Sequence, residues 1–308
     1  MRPEDAPIAM TGVVREVGGV VSNQPTGGAE SASRRIRIIG PATFSLGVVF
    51  SGLRALIQYS DLLYALSLFR LNVRYKQSAL GWAWAALQPL ALMGIYTFVF
   101  AHVTKVNTGG APYSIFVFSG LLPWIFFSSS ITNAVNGIVA YPGLLTKMYF
   151  PREIIPLSYL AVGVTDFIIA SIILVGMLGH YRVAPTWNLL YMIPILVILG
   201  GFATAISLFL AAVHVRFRDV GLVLPFVLQV WMFATPVVYS LQAVPARLRT
   251  IYLLDPVAVA IDGFRGAVIY GRAPDARMLA VVGAAMIVCL ALAYAYFKSA
   301  EATMADVI

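Results

Sequence analysis

The sequence predicts an all-α polytopic membrane protein with six transmembrane helices, an N-terminal amphipathic interfacial helix and outer half-helices before the last span. Three observations carry that expectation. Hydrophobic residues make up 60% of the chain and charged residues 11%, whereas soluble domains carry about 25% charged residues. Uncharged runs recur at 77–101, 106–146, 183–213, 220–246 and 278–297, and 154–179 is broken only by Asp166. A helix needs about 20 apolar residues to cross a hydrocarbon core of roughly 30 Å. The basic residues lie in the N-terminal segment and at the ends of these runs, where they set topology and meet anionic lipid. The net charge of +8 is therefore assigned to the membrane surface rather than to nucleic acid.

Taken in order, residues 1–35 are rich in Gly, Ser and Glu and read as a disordered tail rather than a signal peptide. The run 38–53 is apolar but punctuated by Gly40, Pro41, Gly47 and Gly52, which suits an interfacial segment. Residues 36–78 then form one interfacial and amphipathic cytoplasmic stretch. Its second half, 61–78, has helical periodicity. Leu62, Leu66, Phe69 and Val73 make one apolar stripe, and Tyr64, Leu68, Leu71 and Tyr75 make another. Arg70, Arg74 and Gln77 lie beside the first, a pattern suited to a helix between lipid and protein.

A transmembrane domain follows over 79–300, with spans at 80–102, 113–140, 154–179, 189–213, 220–240 and 278–297, and a C-terminal tail at 301–308. Before the last span, Asp255 can cap a helix that opens at Pro256, and Gly271 can close it. Residues 256–270 are too few to cross and carry Asp262 and Arg265, so they read as a half-helix in or on the outer leaflet. Lysine and arginine favour both termini inside. The inner side then holds the basic N-terminal segment, Lys147, Arg152, Arg216, Arg218 and Lys298. The outer side holds Lys105, Arg182, Arg247, Arg249, Arg265, Arg272 and Arg277.

Several chemistries are not expected. The four lysines follow Tyr75, Thr104, Thr146 and Phe297, so no Gly-Lys-Ser/Thr phosphate loop exists. His102, His180 and His214 fall at span ends without an acid at ligand spacing, and no Gly-x-Ser-x-Gly elbow occurs. No catalytic residue, metal site or cofactor is expected on this chain. Cys289, the single cysteine, reads as a small core residue. Asp166 is the one acid inside a span. It serves either hydrogen bonding within the bundle or proton coupling. Trp187 suits an interfacial belt, whereas Trp231 falls in mid-span. Aromatics that line a bundle interior would suit a glycan, whose sugar rings present apolar CH faces. The candidates are Trp82, Trp84, Tyr96, Phe98, Trp231, Phe233 and Tyr239, with ordinary packing as the alternative. In the loop 141–153, Pro142 and Pro151 bracket a short helical stretch that exposes Leu144, Leu145, Met148 and Tyr149. So apolar a loop needs a partner to cover it, and it reads as a docking helix.

Four blocks in order carry a family resemblance: RLNVRYKQSALGWAWAALQP (70–89), the segment 141–156, RFRDVGLVLPFVLQVWMFATPVVY (216–239) and LDPVAVAIDGFRGAVIYG (254–271). Together they resemble the permease subunits of type-2 ATP-binding-cassette exporters, in the branch that exports O-antigen, capsule and teichoic-acid chains. The resemblance implies a homodimer of six-span subunits in a bacterial inner membrane, with both termini cytoplasmic and a lipid-linked glycan as substrate. It also implies a separate pair of nucleotide-binding ATPase subunits that carry ATP and Mg. Contacts to that ATPase would fall on Arg70, Arg74 and Lys76 of the amphipathic helix. In the loop they would fall on Leu144, Leu145, Lys147, Met148, Tyr149, Arg152 and Glu153. An outer gate would include Asp255, Pro256, Asp262 and Arg265. The chain departs from the family in having Asp255 where Asn is frequent, and in its long N-terminal tail. The alternatives are the same fold moving a drug or plain lipid, and an ion-coupled carrier that uses Asp166. An intramembrane glycosyltransferase or hydrolase would need clustered acids or nucleophiles, and none is found.

Overall fold

The structure, a computed structural model, describes residues 57–76, 78–100, 108–140 and 150–307. The N-terminal tail, the run 38–53, Gln77, the stretch 101–107 and the docking-loop residues Leu144, Leu145, Lys147, Met148 and Tyr149 lie outside the described residues. Everything described belongs to one compact unit, 41–308. Among the described residues all regular structure is helical: α1 (Ser60–Tyr75), α2 (Ala83–Val99), α3 (Tyr113–Ala140), α4 (Ile154–His180), α5 (Met192–Arg216), α6 (Val220–Ala234), α7 (Ala246–Leu254), α8 (Pro256–Ile269) and α9 (Ala276–Val307). A 3-10 turn, Trp187–Tyr191, leads into α5.

Helix α3 is the centre of the bundle, with α2, α4, α5, α6 and α8 packed on it and α9 packed on α5. Its sequence is apolar all round, which is the composition of a helix buried on every side. Ile115, Phe116, Phe118, Leu121, Phe127 and Ile131 have at most 1% of their surface exposed. By contrast α4 turns Ile168, Ile172 and Val175 outward, and α9 does the same with Val281, Ile287 and Val288. Apolar faces of that extent belong against lipid or another protein. α3, α4, α5 with its lead-in turn, and α9 as far as Glu301 are each long and apolar enough to cross a membrane; α2 and α6 are apolar but shorter. The protein is a multi-pass membrane protein.

Three sequence expectations need correction. α6 stops at Ala234 rather than reaching 240. Thr235 turns extended there, and Pro236 has no N–H to continue the helical ladder. The two apolar stripes of α1 do not hold together. Its buried residues are Ser67, Arg70, Leu71 and Tyr75, while Tyr64, Leu68, Phe69 and Val73 are exposed. The basic seam therefore faces α4, because that helix offers an aromatic ring and a carboxylate to receive it. Finally, Cys289 is exposed on α9 rather than packed in the core.

Candidate functional site

Two clusters form at the α1 end of the bundle. In the first, the Arg70 guanidinium lies 3.6 Å from the centre of the Tyr159 ring, a cation–π stack in a buried place. One turn later Arg74 Nη1 donates to Asp166 Oδ2 at 2.8 Å, and the Tyr75 hydroxyl donates to Asp166 Oδ1. Trp82 stacks on Tyr75 with ring centres 4.6 Å apart. Asp166 thus has a tyrosine partner, as bundle-internal hydrogen bonding expects, and also an arginine that the sequence reading did not foresee. Lys76 is exposed just beyond the helix.

The second cluster joins the segment before α4 to the last helix. Glu153 is 1% exposed and accepts from Tyr294 Oη at 3.0 Å and Lys298 Nζ at 2.8 Å. Lys298 reaches Glu301 as well, at 2.8 Å, and Arg152 Nη1 donates to the Glu301 carbonyl at 3.0 Å. A buried carboxylate must be paired, and here the partners come from the same chain. Glu153 thus joins the start of α4 to α9 within its own chain. Tyr294, Lys298 and Glu301 were not singled out from sequence, where Lys298 and Glu301 look like an ordinary i,i+3 pair.

At the other end, the short segment just after α6, which turns extended at Thr235, is buried: Thr235 and Val237 are 0% exposed and Val238 is 1% exposed. Non-helical backbone at such depth survives only when protein satisfies its polar groups. Arg265, 2% exposed, donates to the Pro236 carbonyl at 3.2 Å and the Val237 carbonyl at 2.6 Å. Its guanidinium also lies 3.9 Å from the centre of the Phe116 ring. Burial pulls the pKa of Arg265 down to about 10 while the nearby Asp262 carboxylate raises it, so it stays cationic at neutral pH. Tyr113 Oη takes the Val238 carbonyl at 2.7 Å. Asp255 caps α8 by accepting from the Val257 amide at 3.0 Å. The other Asp255 oxygen receives Trp231 Nε1 at 3.1 Å and Thr235 Oγ1 at 2.8 Å. One aspartate thus ties the end of α6 to the start of α8, with Pro256 at the first helical position and Gly271 closing the helix at φ 56°.

The candidate channel aromatics do not share one interior. Trp82, Trp84, Phe98 and Phe233 are exposed on the outside of the single-chain bundle. Tyr96 is half-buried. Trp231 packs edge-on against Phe127 with ring centres 5.4 Å apart. Tyr239 hydrogen-bonds the Phe233 carbonyl at 2.9 Å and the Tyr252 hydroxyl at 3.0 Å. Trp231 and Tyr239 therefore belong structurally with Asp255 and the extended segment. This division follows from α2 and α6 lying on α3, each with an outer face left uncovered.

The helices that build these clusters fall largely within residues 61–269, more than half of the chain, which match the ABC-2 type transporter family: the chain belongs to that family. It is 33% identical to an O-antigen export system permease protein of Myxococcus xanthus, over 58% of this chain and 68% of that protein. It is 34% identical to an O-antigen export system permease protein of Klebsiella pneumoniae, over 52% of this chain and 61% of the relative. A polysialic acid transport protein of Escherichia coli is 27% identical over 54% of this chain and 64% of its own length. The matches to the latter two thus span less than two thirds of the relatives' length.

Proposed function

We infer that this chain is the membrane-spanning permease subunit of an ATP-binding-cassette exporter that moves a lipid-linked polysaccharide across the bacterial inner membrane. The observation that carries the reading is the similarity to O-antigen export permeases, 33% identical over 178 residues. The absence of a phosphate loop from the sequence supports a non-enzymatic subunit that takes its energy from a separate ATPase pair holding ATP and magnesium. Both termini lie in the cytoplasm and six helices span, α2 and α6 being the two short ones. Trp82, Trp84, Phe98 and Phe233 sit outside the single-chain bundle, which supports a homodimer whose two copies enclose the conduit. An ion-coupled carrier is less well supported, because Asp166 is already paired with Arg74 and Tyr75.

The coupling test targets the loop between Pro142 and Pro151. A short apolar helix seated in a partner's groove uses side chains at i, i+3 and i+4, and each such buried side chain contributes roughly 1.5–3 kcal/mol. A double Leu144→Asp, Met148→Asp change is expected to release the ATPase and abolish surface glycan while the permease stays inserted and dimeric. Co-purification with the ATPase and surface glycan detection are the readouts. Normal values for both would sink the docking assignment.

A further inference from the structure

Between α8, the segment 240–253 and the stretch before α9 lies a cleft of about 630 Å³, within the range of about 300–1,000 Å³ typical of small-ligand sites. It sits at the α8 end, which faces outward in the orientation inferred above. The chemistry of its wall separates two ligand classes. Three arginines border it, which at first suggests an anion. Two of them are committed elsewhere. Arg249 donates to the Val244 carbonyl at 3.0 Å and the Gln242 carbonyl at 2.9 Å. Arg265 holds Pro236 and Val237. The Arg272 guanidinium has the Tyr270 ring at 5.6 Å and no hydrogen-bond acceptor among the described residues. Two carboxylates, Asp262 and Asp275, share the wall and would repel a phosphate.

What remains is a different pattern. Asp262 is exposed to the cleft as an acceptor, Arg272 is exposed as a donor, and the exposed Gln242 amide supplies both. Tyr252 and Tyr270 add aromatic surface. A pyranose ring presents hydroxyls that donate and accept, together with an apolar CH face. Planar side chains that accept, donate or do both, beside tyrosine rings, match it group for group. We propose that this cleft is a sugar-binding site that receives a residue of the exported glycan at the outer mouth, with Gln242, Asp262 and Arg272 as hydroxyl partners and Tyr252 and Tyr270 as the apolar wall. The proposal rests on the export reading and adds to it a place on each subunit that holds the emerging chain.

The test uses full-length permease in complex with its ATPase, with Cys289→Ser removing the native thiol and Ala273→Cys, an exposed position of the cleft wall that the proposal assigns no contact, as reporter. The probe is oligosaccharide released by mild acid from the producing cell's surface glycan. The expected result is several-fold slower maleimide labelling of the reporter in the presence of oligosaccharide. Asp262→Ala should need roughly tenfold more oligosaccharide for the same protection, the loss expected from one charge-assisted hydrogen bond. Arg272→Gln, at the exposed rim and outside the core, should weaken protection in the same direction and serves as a second test if the first variant misfolds. An unchanged labelling rate with oligosaccharide, or equal slowing by inorganic phosphate alone, would overturn the sugar site. Deleting the permease gene separates the two claims. Intact surface glycan in the deletion strain overturns the export reading and this proposal with it. Lost glycan without reporter protection overturns the site alone.

Discussion

Where α6 ends at Ala234, the carbonyls of Pro236 and Val237 are buried without a helical donor, and the Arg265 guanidinium supplies two. That arrangement requires α3 to come very close. A Cβ added to Gly120 would stand 2.4 Å from Arg265 Nη2 and 2.5 Å from the Val237 carbonyl oxygen. The arginine tip could shift, but the backbone carbonyl cannot shift without moving the segment that it belongs to. Gly120→Ala is therefore expected to destabilise the protein by about 1–3 kcal/mol, the range for overpacking a filled interior. Thermal unfolding of the detergent-solubilised protein measures it. A melting temperature equal to that of the unsubstituted protein would mean that the α3 contact is looser than the structure has it.

At the scale of the element, α1 and α4 are joined by an ion pair whose ends are unequally exposed, 39% for Arg74 and 13% for Asp166. Exposed pairs contribute roughly 0–1 kcal/mol, and this one lies between the exposed and the buried case. A double-mutant cycle of Arg74→Ala and Asp166→Ala is expected to give a coupling of about 1 kcal/mol in thermal denaturation. Additive losses would show that the two side chains do not support each other. Asp166→Asn keeps an acceptor for the Tyr75 hydroxyl and removes only the charge, so most export should survive. A well-folded Asn variant that transports nothing would instead favour proton coupling through Asp166. The Glu153–Lys298 pair, 1% and 19% exposed, works on the same scale by tying the start of α4 to α9.

For the whole molecule, the distribution of lysine and arginine along the sequence predicts the orientation of every helix at once. On a Cys289→Ser background, single cysteines at Thr108 and Ala243 should react with an impermeant thiol reagent in intact cells, and one at Thr146 should not. Labelling confined to Thr146 would invert the protein and move the cleft beside α8 to the inner face. The exposed apolar faces of α2 and α6, including Ile95, Phe98, Leu222 and Phe226, belong to this scale as well. They are complete only against lipid or a second copy.

The sequence by itself determined whatever chemistry acts within a few residues. Runs of apolar residues set the extent of α3, α4 and α5 to within a few positions. Asp255 followed by Pro256 set the start of α8, and Gly271 set its end. The tertiary structure decided which side chains meet. Asp166 lies 92 residues from Arg74, Glu153 lies 145 from Lys298, and Arg265 reaches carbonyls 28 and 29 residues back. In a soluble helix the polar stripe tells which side faces the core. Here nearly every face is apolar, because lipid accepts on the outside what the core accepts inside. Periodicity therefore could not reveal which helices are neighbours, nor that Arg70 of α1 turns inward. Those pairings follow from helix packing, which places each lone charge beside the group that can neutralise it.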